Sequence, residues 1–303
     1  MFRIESIKIP WYHSPSGVWM IIVSGSASVS LSKTLANEMG VKLAKVESRR
    51  FPDDECYVRI HDNLDGEEVL LIQTTYPDEK IIELFLLQDA VKEFDIKGLT
   101  TVIPYFGYAR QDKKFNEGEP ISAKTLAEHV QISSDEIITV DIHKEKIMDW
   151  FDVPAKNISG MPQLGIYLKN LEPDIIIAPD KGAQNLAKMV AEVIGCKWDY
   201  LEKTRIDGET VEMKAKNLSV SGKKVAIVDD IIATGGTIVK ATEHLKSQGA
   251  LEVYASCTHG LFAKNALQRL QKVCDRVIST DTIENETSFV SVAKEVAKEI
   301  KKG

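Results

Sequence analysis

A chain of 303 residues with 38 basic and 45 acidic side chains, net charge −7, has length for two ordinary domains, each with its own core. The acidic balance argues against a general nucleic-acid or membrane-surface role, though it leaves room for a local basic pocket. Four cysteines, Cys56, Cys196, Cys257 and Cys274, lack CxxC spacing, and no apolar run approaches the roughly 18 to 20 residues that span a bilayer, so zinc, disulfide and transmembrane readings fall away and a reduced cytoplasmic setting is expected.

The first 19 residues, with Pro10, His13, Ser14 and Trp19, lack the apolar stretch and cleavage site of a signal peptide. They stand outside the pattern that begins at Met20, and are expected to be a non-native or loose extension. From Met20 the chain predicts a strand at Ile21-Ile22-Val23, a turn over residues 24–28, and a helix through Leu31, Leu35 and Met39 that stops at Gly40. About 155 residues later the pattern returns. Ile175-Ile176-Ile177 leads into a turn over 178–182 and a helix through Leu186, Met189, Val190 and Val193 that stops at Gly195. Arg50 falls opposite Arg205, and Gly66-Glu67-Glu68-Val69 opposite Gly222-Lys223-Lys224-Val225. Further on, at a shorter interval, Ser134-Asp135-Glu136-Ile137-Ile138 matches Val273-Cys274-Asp275-Arg276-Val277-Ile278.

These matches imply a tandem duplication. Alternating short strands and helices predict an α/β fold, two domains each built on a doubly wound, mainly parallel sheet flanked by helices. The expected bounds are 20–157 and 158–287. A C-terminal helix is expected over 288–303, with Val290, Ala293, Val296, Ala297 and Ile300 on one face.

The copies differ where chemistry would show. In the second, the run Val225-Ala226-Ile227-Val228 predicts a buried strand; Asp229 and Asp230 follow, then the turn Ala233, Thr234, Gly235, Gly236, Thr237, and a helix through Ile238, Val239, Ala241 and Leu245. A strand passing through a Gly/Thr turn into a helix gathers N–H donors and the positive helix end at one point, which suits a phosphate. Paired carboxylates at the carboxyl end of a strand suit the vicinal hydroxyls of a sugar. The plainer alternative is a Gly-rich turn with solvated acids. A Walker lysine is absent, so the loop is not a P-loop.

The first copy has Gln73-Thr74-Thr75-Tyr76-Pro77 in that place and carries other polar stretches. Residues 49–55, RRFPDDE, join two strands; they are either a charged hairpin tip or a ring that stacks on a base beside carboxylates. Residues 105–114, YFGYARQDKK, follow a strand, and Arg110, Gln111 and Asp112 suit a polyphosphate and its nucleoside unless the loop is simply solvated. Pro120-Ile121-Ser122-Ala123-Lys124 opens another helix. His143, after Thr139-Val140-Asp141-Ile142, lies beyond a strand end and is the best placed of the six histidines to meet a ligand. It would meet phosphate or, unusually for magnesium, a metal; a structural histidine is the alternative.

The loop VDDIIATGGT resembles the signature of the phosphoribosyltransferase superfamily. Together FPDDE, YARQDKK, PISAK, DIH, APDKG and VDDIIATGGT resemble, in order and spacing, the ribose-phosphate diphosphokinases (PRPP synthetases), over essentially the whole chain from Met20. The resemblance implies two phosphoribosyltransferase-type domains and transfer of the β,γ-diphosphoryl group of ATP to the 1-hydroxyl of ribose 5-phosphate, with Mg²⁺. It implies that Phe51, Asp53 and Glu55 hold adenine, the hairpin reaching a neighbouring subunit's site in at least a homodimer. By the same resemblance Arg110, Gln111, Asp112 and His143 bind ATP. His143 and Asp180 lie at the metal, and Asp229, Asp230, Ala233, Thr234, Gly235, Gly236 and Thr237 hold ribose 5-phosphate. Lys203 and Arg205 match the family's catalytic loop, where two cations can neutralise charge on the phosphoryl oxygens. No nucleic-acid or membrane partner is implied.

Departures bound the resemblance. Many members have an acid at the place of Ala233 and Gly at that of Asp54. Residues 115–119, FNEGE, lack the arginine that in many members helps form a phosphate site, which takes phosphate activation and ADP inhibition out of what is implied. The Ala233 form is closer to transferases such as adenine phosphoribosyltransferase, but a base transferase would need one such domain and leave YARQDKK and DIH unexplained. A silent regulatory relative would be expected to lose the site residues, and they remain.

Overall fold

The computed structural model describes residues 20–205, 211–215 and 218–302, of 203–205 and 211–215 the backbone only; the extension of the first 19 residues lies outside them. Two compact units divide the chain. The first takes the chain through Thr139, with Lys144–Lys156 and the stretch from Val296; the second takes Val140–His143 and Asn157–Glu295.

Short apolar runs between turns make the strands of the first unit's sheet. In chain order come β1 (Met20–Ser24), α1 (Val29–Met39), β2 (Lys42–Leu43), β3 (Val46–Arg50), β4 (Cys56–Ile60), β5 (Glu68–Ile72), α2 (Glu79–Lys92), β6 (Gly98–Ile103), α3 (Ser122–Val130), β7 (Glu136–Val140) and β8 (Ala155–Ile158). The sheet runs β2-β1-β5-β6-β7-β8, with parallel pairing from β2 to β7. Strands β3 and β4 form a separate antiparallel hairpin.

The second unit continues with α4 (Met161–Lys169), β9 (Ile175–Ala178), α5 (Gln184–Ile194), β10 (Lys197–Arg205), β11 (Val211–Ala215), β12 (Lys224–Ile232), α6 (Gly236–Ser247), β13 (Glu252–Gly260), α7 (Ala266–Val273), β14 (Arg276–Thr280), β15 (Ser288–Val290) and the start of α8 (Ala293–Ile300), whose residues from Val296 group with the first. Its sheet runs β11-β10-β9-β12-β13-β14-β15. Every pairing in it is parallel except β10 with β11. Without β11 the two sheets match strand for strand, as a duplicated unit requires. The helix ends match too: Gly40 and Gly195 close α1 and α5 in the left-handed conformation, φ +67° and +86°, which glycine adopts without a Cβ penalty.

Strand periodicity divides the second core into two layers. Val225 and Ile227 join Ile175, Ile177, Val253 and Ala255 against Ile238, Leu245 and Leu270 of α6 and α7. Ala226 and Val228 join Ile176, Tyr254 and Ile278 against Leu164, Ala187 and Val190 of α4 and α5. Both faces of the sheet are covered, so the run Val225 to Val228 of β12 is apolar on both sides. Burying each large side chain contributes about 1.5 to 3 kcal/mol.

One element differs from expectation. Residues 288–290 form the edge strand β15 rather than the first turn of the terminal helix, because the free edge of β14 offers backbone partners, and Val290, opposite Thr280, is buried. Among the described residues no helix is long and apolar enough to cross a membrane.

Candidate functional site

The cleft of the second unit opens where β9 and β12 part. Pairing of β12 with β9 ends at Ile227 opposite Ile177, while pairing with β13 continues to Ile232 opposite Gly260. Asp229 and Asp230 therefore lie inside β12 but past the last contact with β9, at the carboxyl-end crevice where open α/β sheets take their ligands. The chain then turns through Ala233 and Thr234 into Gly235, whose φ is +70°. A Cβ there would also press on Ala266 and Leu270 of α7 at 3.3 Å. At Gly236, where α6 starts, a Cβ would meet nothing within 4 Å. The turn thus presents a helix N-terminus with open space above it. From α7, Arg269 Nη2 donates to the Thr234 carbonyl at 2.6 Å and holds the turn.

The carboxylates are electrostatically unbalanced. Burial first, then the charge of Asp230 and a hydrogen bond with it, push Asp229 up to about 8, and Asp180 adds to the push. Burial acts on Asp230 in the same sense, but the hydrogen bond and charge of His143 outweigh it and hold Asp230 below the usual carboxylate range. At neutral pH the pair keeps one proton, on Asp229. His143 Nδ1 lies 2.6 Å from Asp230 Oδ2; the carboxylate accepts, so Nδ1 carries a proton. Asp180, in the turn after β9, accepts the Gly182 N–H through Oδ1 at 2.7 Å.

Among the described residues no group of three or more His, Cys, Asp and Glu side chains forms a ready-made metal site. The pair Asp229 and Asp230, which retains a proton, is however short of one cation. Oxygen donors of this kind fit Mg²⁺, which takes few protein ligands and completes its shell with phosphate and water. Lys203 and Arg205 fall on β10, their backbones paired with Met213 and Val211 of β11; their side chains lie outside the described residues.

The other expected residues lie in the first unit. Phe51 is exposed at the tip of the β3–β4 hairpin and packs edge-on against Tyr57, ring centroids 5.3 Å apart. Arg49 lies over both rings, 4.2 Å from the Tyr57 centroid and 5.0 Å from that of Phe51. Asp54 has φ +70°, so the acid that departs from the family's glycine adopts the conformation a glycine would take, one Asp tolerates better than most residues. Asp53 Oδ1 accepts the Glu55 N–H at 3.3 Å. Arg110 is exposed, Gln111 Nε2 donates to Glu119 at 3.2 Å, and Asp112 is buried against Lys146 at 3.0 Å. Glu119 also accepts from Phe115 and Asn116, so the divergent FNEGE loop has its own organiser.

Sequence reasoning missed the groups that hold the site from behind. Arg269 is one; His259, buried at the end of β13, is another. A Thr-His-Gly triplet closing an apolar strand was the available signal.

Comparison with known proteins agrees with the geometry. A family described as "N-terminal domain of ribose phosphate pyrophosphokinase" matches residues 20–133, and one described as "Phosphoribosyl transferase domain" matches 164–295. The chain is 41% identical over 286 residues to a ribose-phosphate pyrophosphokinase of Methanopyrus kandleri, covering 93% of this chain and 98% of that one. It is 40% identical over 279 residues to one of Pyrococcus furiosus, covering 91% and 99%. A crystal structure of phosphoribosylpyrophosphate synthetase from Mycobacterium smegmatis is similar over 93% of this chain and 97% of that one, with TM-score 0.79 and 29% identity.

Proposed function

Because this chain belongs to the ribose-phosphate pyrophosphokinase family and is an enzyme of it, we propose that it transfers the β,γ-diphosphoryl group of ATP to the 1-hydroxyl of ribose 5-phosphate, giving PRPP and AMP. The observation that carries this reading is the second unit's turn, with paired aspartates one proton short of full charge below a helix N-terminus that is open at Gly236. The 5-phosphate takes the N–H groups and hydroxyls of Thr234, Gly235, Gly236 and Thr237, beside Ala233, while Asp229 and Asp230 accept from the ribose hydroxyls. Phe51 stacks on adenine, with Asp53 and Glu55 accepting from its amine. Arg110, Gln111 and His143 meet the polyphosphate, and Asp112 fixes that loop through Lys146.

In the reaction the 1-hydroxyl oxygen forms a bond to the β-phosphorus and loses its proton. The bond from that phosphorus to the bridging oxygen breaks, and AMP leaves with the electron pair. This chemistry asks for positioning and charge neutralisation rather than a protein nucleophile. Lys203 and Arg205 supply cations for the transition state, and His143 and Asp180 are the residues that would hold Mg²⁺. When bound, the ion neutralises phosphate charge and polarises the β-phosphorus. The exposed hairpin tip supports a site completed by a second copy in at least a homodimer, in the cytoplasm.

The test is ³¹P NMR of the purified chain with ATP, ribose 5-phosphate and Mg²⁺. Stoichiometric AMP and PRPP are expected. ADP with a sugar bisphosphate would overturn the mechanism, and consumption of PRPP with adenine in place of that synthesis would make the chain a base transferase.

A further inference from the structure

Two buried titratable side chains of the second unit, Asp141 and His259, are left unused by this chemistry. They are 7% and 1% exposed. Asp141 follows the end of β7 with φ +38°, a left-handed conformation that costs an L-residue on the order of 1 kcal/mol. Something must hold it there. Its carboxylate accepts from Thr258 Oγ1 at 2.6 Å, Ser159 Oγ at 2.7 Å and the Gly160 N–H at 2.9 Å. Its own N–H donates to the Ile158 carbonyl at 2.8 Å, and that of Ile142 to Asn157 Oδ1 at 2.9 Å.

The carbonyls of the same turn are held by His259. Its Nε2 lies 3.1 Å from the Val140 oxygen and 3.3 Å from that of Asp141. A carbonyl can only accept, so Nε2 carries a proton. Burial pushes the pKa of His259 down, so the ring is neutral and Nδ1 must accept. The donor is the Thr282 hydroxyl, 2.9 Å away. The Thr282 hydroxyl has two acceptors within reach, His259 Nδ1 and the Thr258 carbonyl at 2.9 Å; Thr280 Oγ1 donates to that same carbonyl at 2.7 Å, so the carbonyl stays served when the Thr282 proton turns to the ring. A line of hydrogen bonds therefore runs from Thr282 through His259 to the last two carbonyls before Ile142 and His143, and His143 then meets Asp230.

We propose that His259, held by Thr282 and acting with Asp141, is a positioning residue that locks the 140–143 turn so that His143 keeps Nδ1 on Asp230 and turns Nε2 to the ligand. These bonds converge on four consecutive residues that continue a strand begun in the first unit yet cluster with the second. A general core role gives no reason for that convergence. The inference rests on His143 being a site residue.

Long-range ¹H–¹⁵N spectra of the full chain read the tautomer of each histidine without substrate. Wild type is expected to show His143 Nδ1 as a protonated, hydrogen-bonded nitrogen. In His259→Asn and in the milder Thr282→Val, His143 should move to the averaged nitrogen shifts of a free imidazole. For PRPP formation kcat should fall about tenfold in His259→Asn and about threefold in Thr282→Val, with KM for ribose 5-phosphate held within about twofold. Thr242→Val deletes another buried hydroxyl of this unit, 3.3 Å from Cys274 Sγ, and should change neither readout. Where His259→Asn does not fold, Thr282→Val decides alone: a wild-type tautomer and kcat in that variant overturn the proposal. If wild type makes no PRPP, the functional reading has failed, and the tautomer spectra still decide the positioning claim.

Discussion

The two units carry the same strand-turn-helix device and use it in opposite ways. After β1, the Ser26 N–H and hydroxyl donate to Glu83 of α2 at 2.8 and 2.6 Å, Ser48 adds a hydroxyl at 2.9 Å, and Lys80 lies 3.3 Å away. Burial would push Glu83 up, but these partners outweigh it and hold it below the usual carboxylate range. Gln73 closes the turn further: its Oε1 accepts the Ala27 N–H at 3.1 Å, and a Cβ on Gly25 would collide with the Gln73 side chain at 2.2 Å. The first turn has its anion built in. In the second unit the space over Gly236 is open, and burial and the charge of Asp230 drive Asp229 up to about 8. A buried carboxylate ringed by donors completes a fold, whereas one crowded by a second carboxylate marks a place for a cation and a ligand.

The largest effect expected is catalytic. Lys203→Ala should lower kcat for PRPP formation by about a thousandfold or more, while calorimetric binding of ribose 5-phosphate is retained; full activity in that variant would remove the cation assigned to the transition state. The next bears on charge. A carboxyl pKa raised by folding keeps a proton that Mg²⁺ must displace, so Mg²⁺ affinity in the presence of ribose 5-phosphate should weaken by up to about tenfold per pH unit below pH 8. The same linkage predicts that the ligand-free chain loses stability as pH rises from about 4 to about 8, because Asp229 stays protonated in the fold and ionises in the unfolded chain. Asp229→Asn should flatten both slopes, and unchanged slopes would show that the two turns do not differ in charge as described.

Glu83→Gln tests the first turn. It keeps the shape, removes the anion from three donors and a lysine, and should cost about 3 kcal/mol in urea unfolding, with KM for ribose 5-phosphate unaltered. The smallest effect is expected at Arg269→Ala, which frees the Thr234 carbonyl and should raise that KM about fivefold with kcat nearly constant, Arg269→Lys restoring part of it.

Much of this contrast was legible in the sequence. Apolar runs and glycine stops disclosed the repeated strand order, and the unequal turns 73–77 and 229–237 disclosed that the copies had diverged there. What stayed hidden are the partners: Ser26 with Glu83, His143 with Asp230 and Asp141 with Thr258 are 57, 87 and 117 residues apart, and no local pattern encodes such pairs. They follow from which strand ends the topology brings together. Residues 288–290 were misread for a related reason, since helical spacing of apolar residues cannot register that a sheet edge nearby lacks a strand.

The difference between the turns is tested most directly by titrating ribose 5-phosphate into the ¹⁵N-labelled full chain and following its amide resonances. Shifts at Asp229, Asp230 and Thr234 to Thr237, with none at residues 24–28, are the predicted result. Shifts at Ser26 and Ala27 with a silent second turn would contradict the account, because the ligand would then occupy the turn that Glu83 is held to fill.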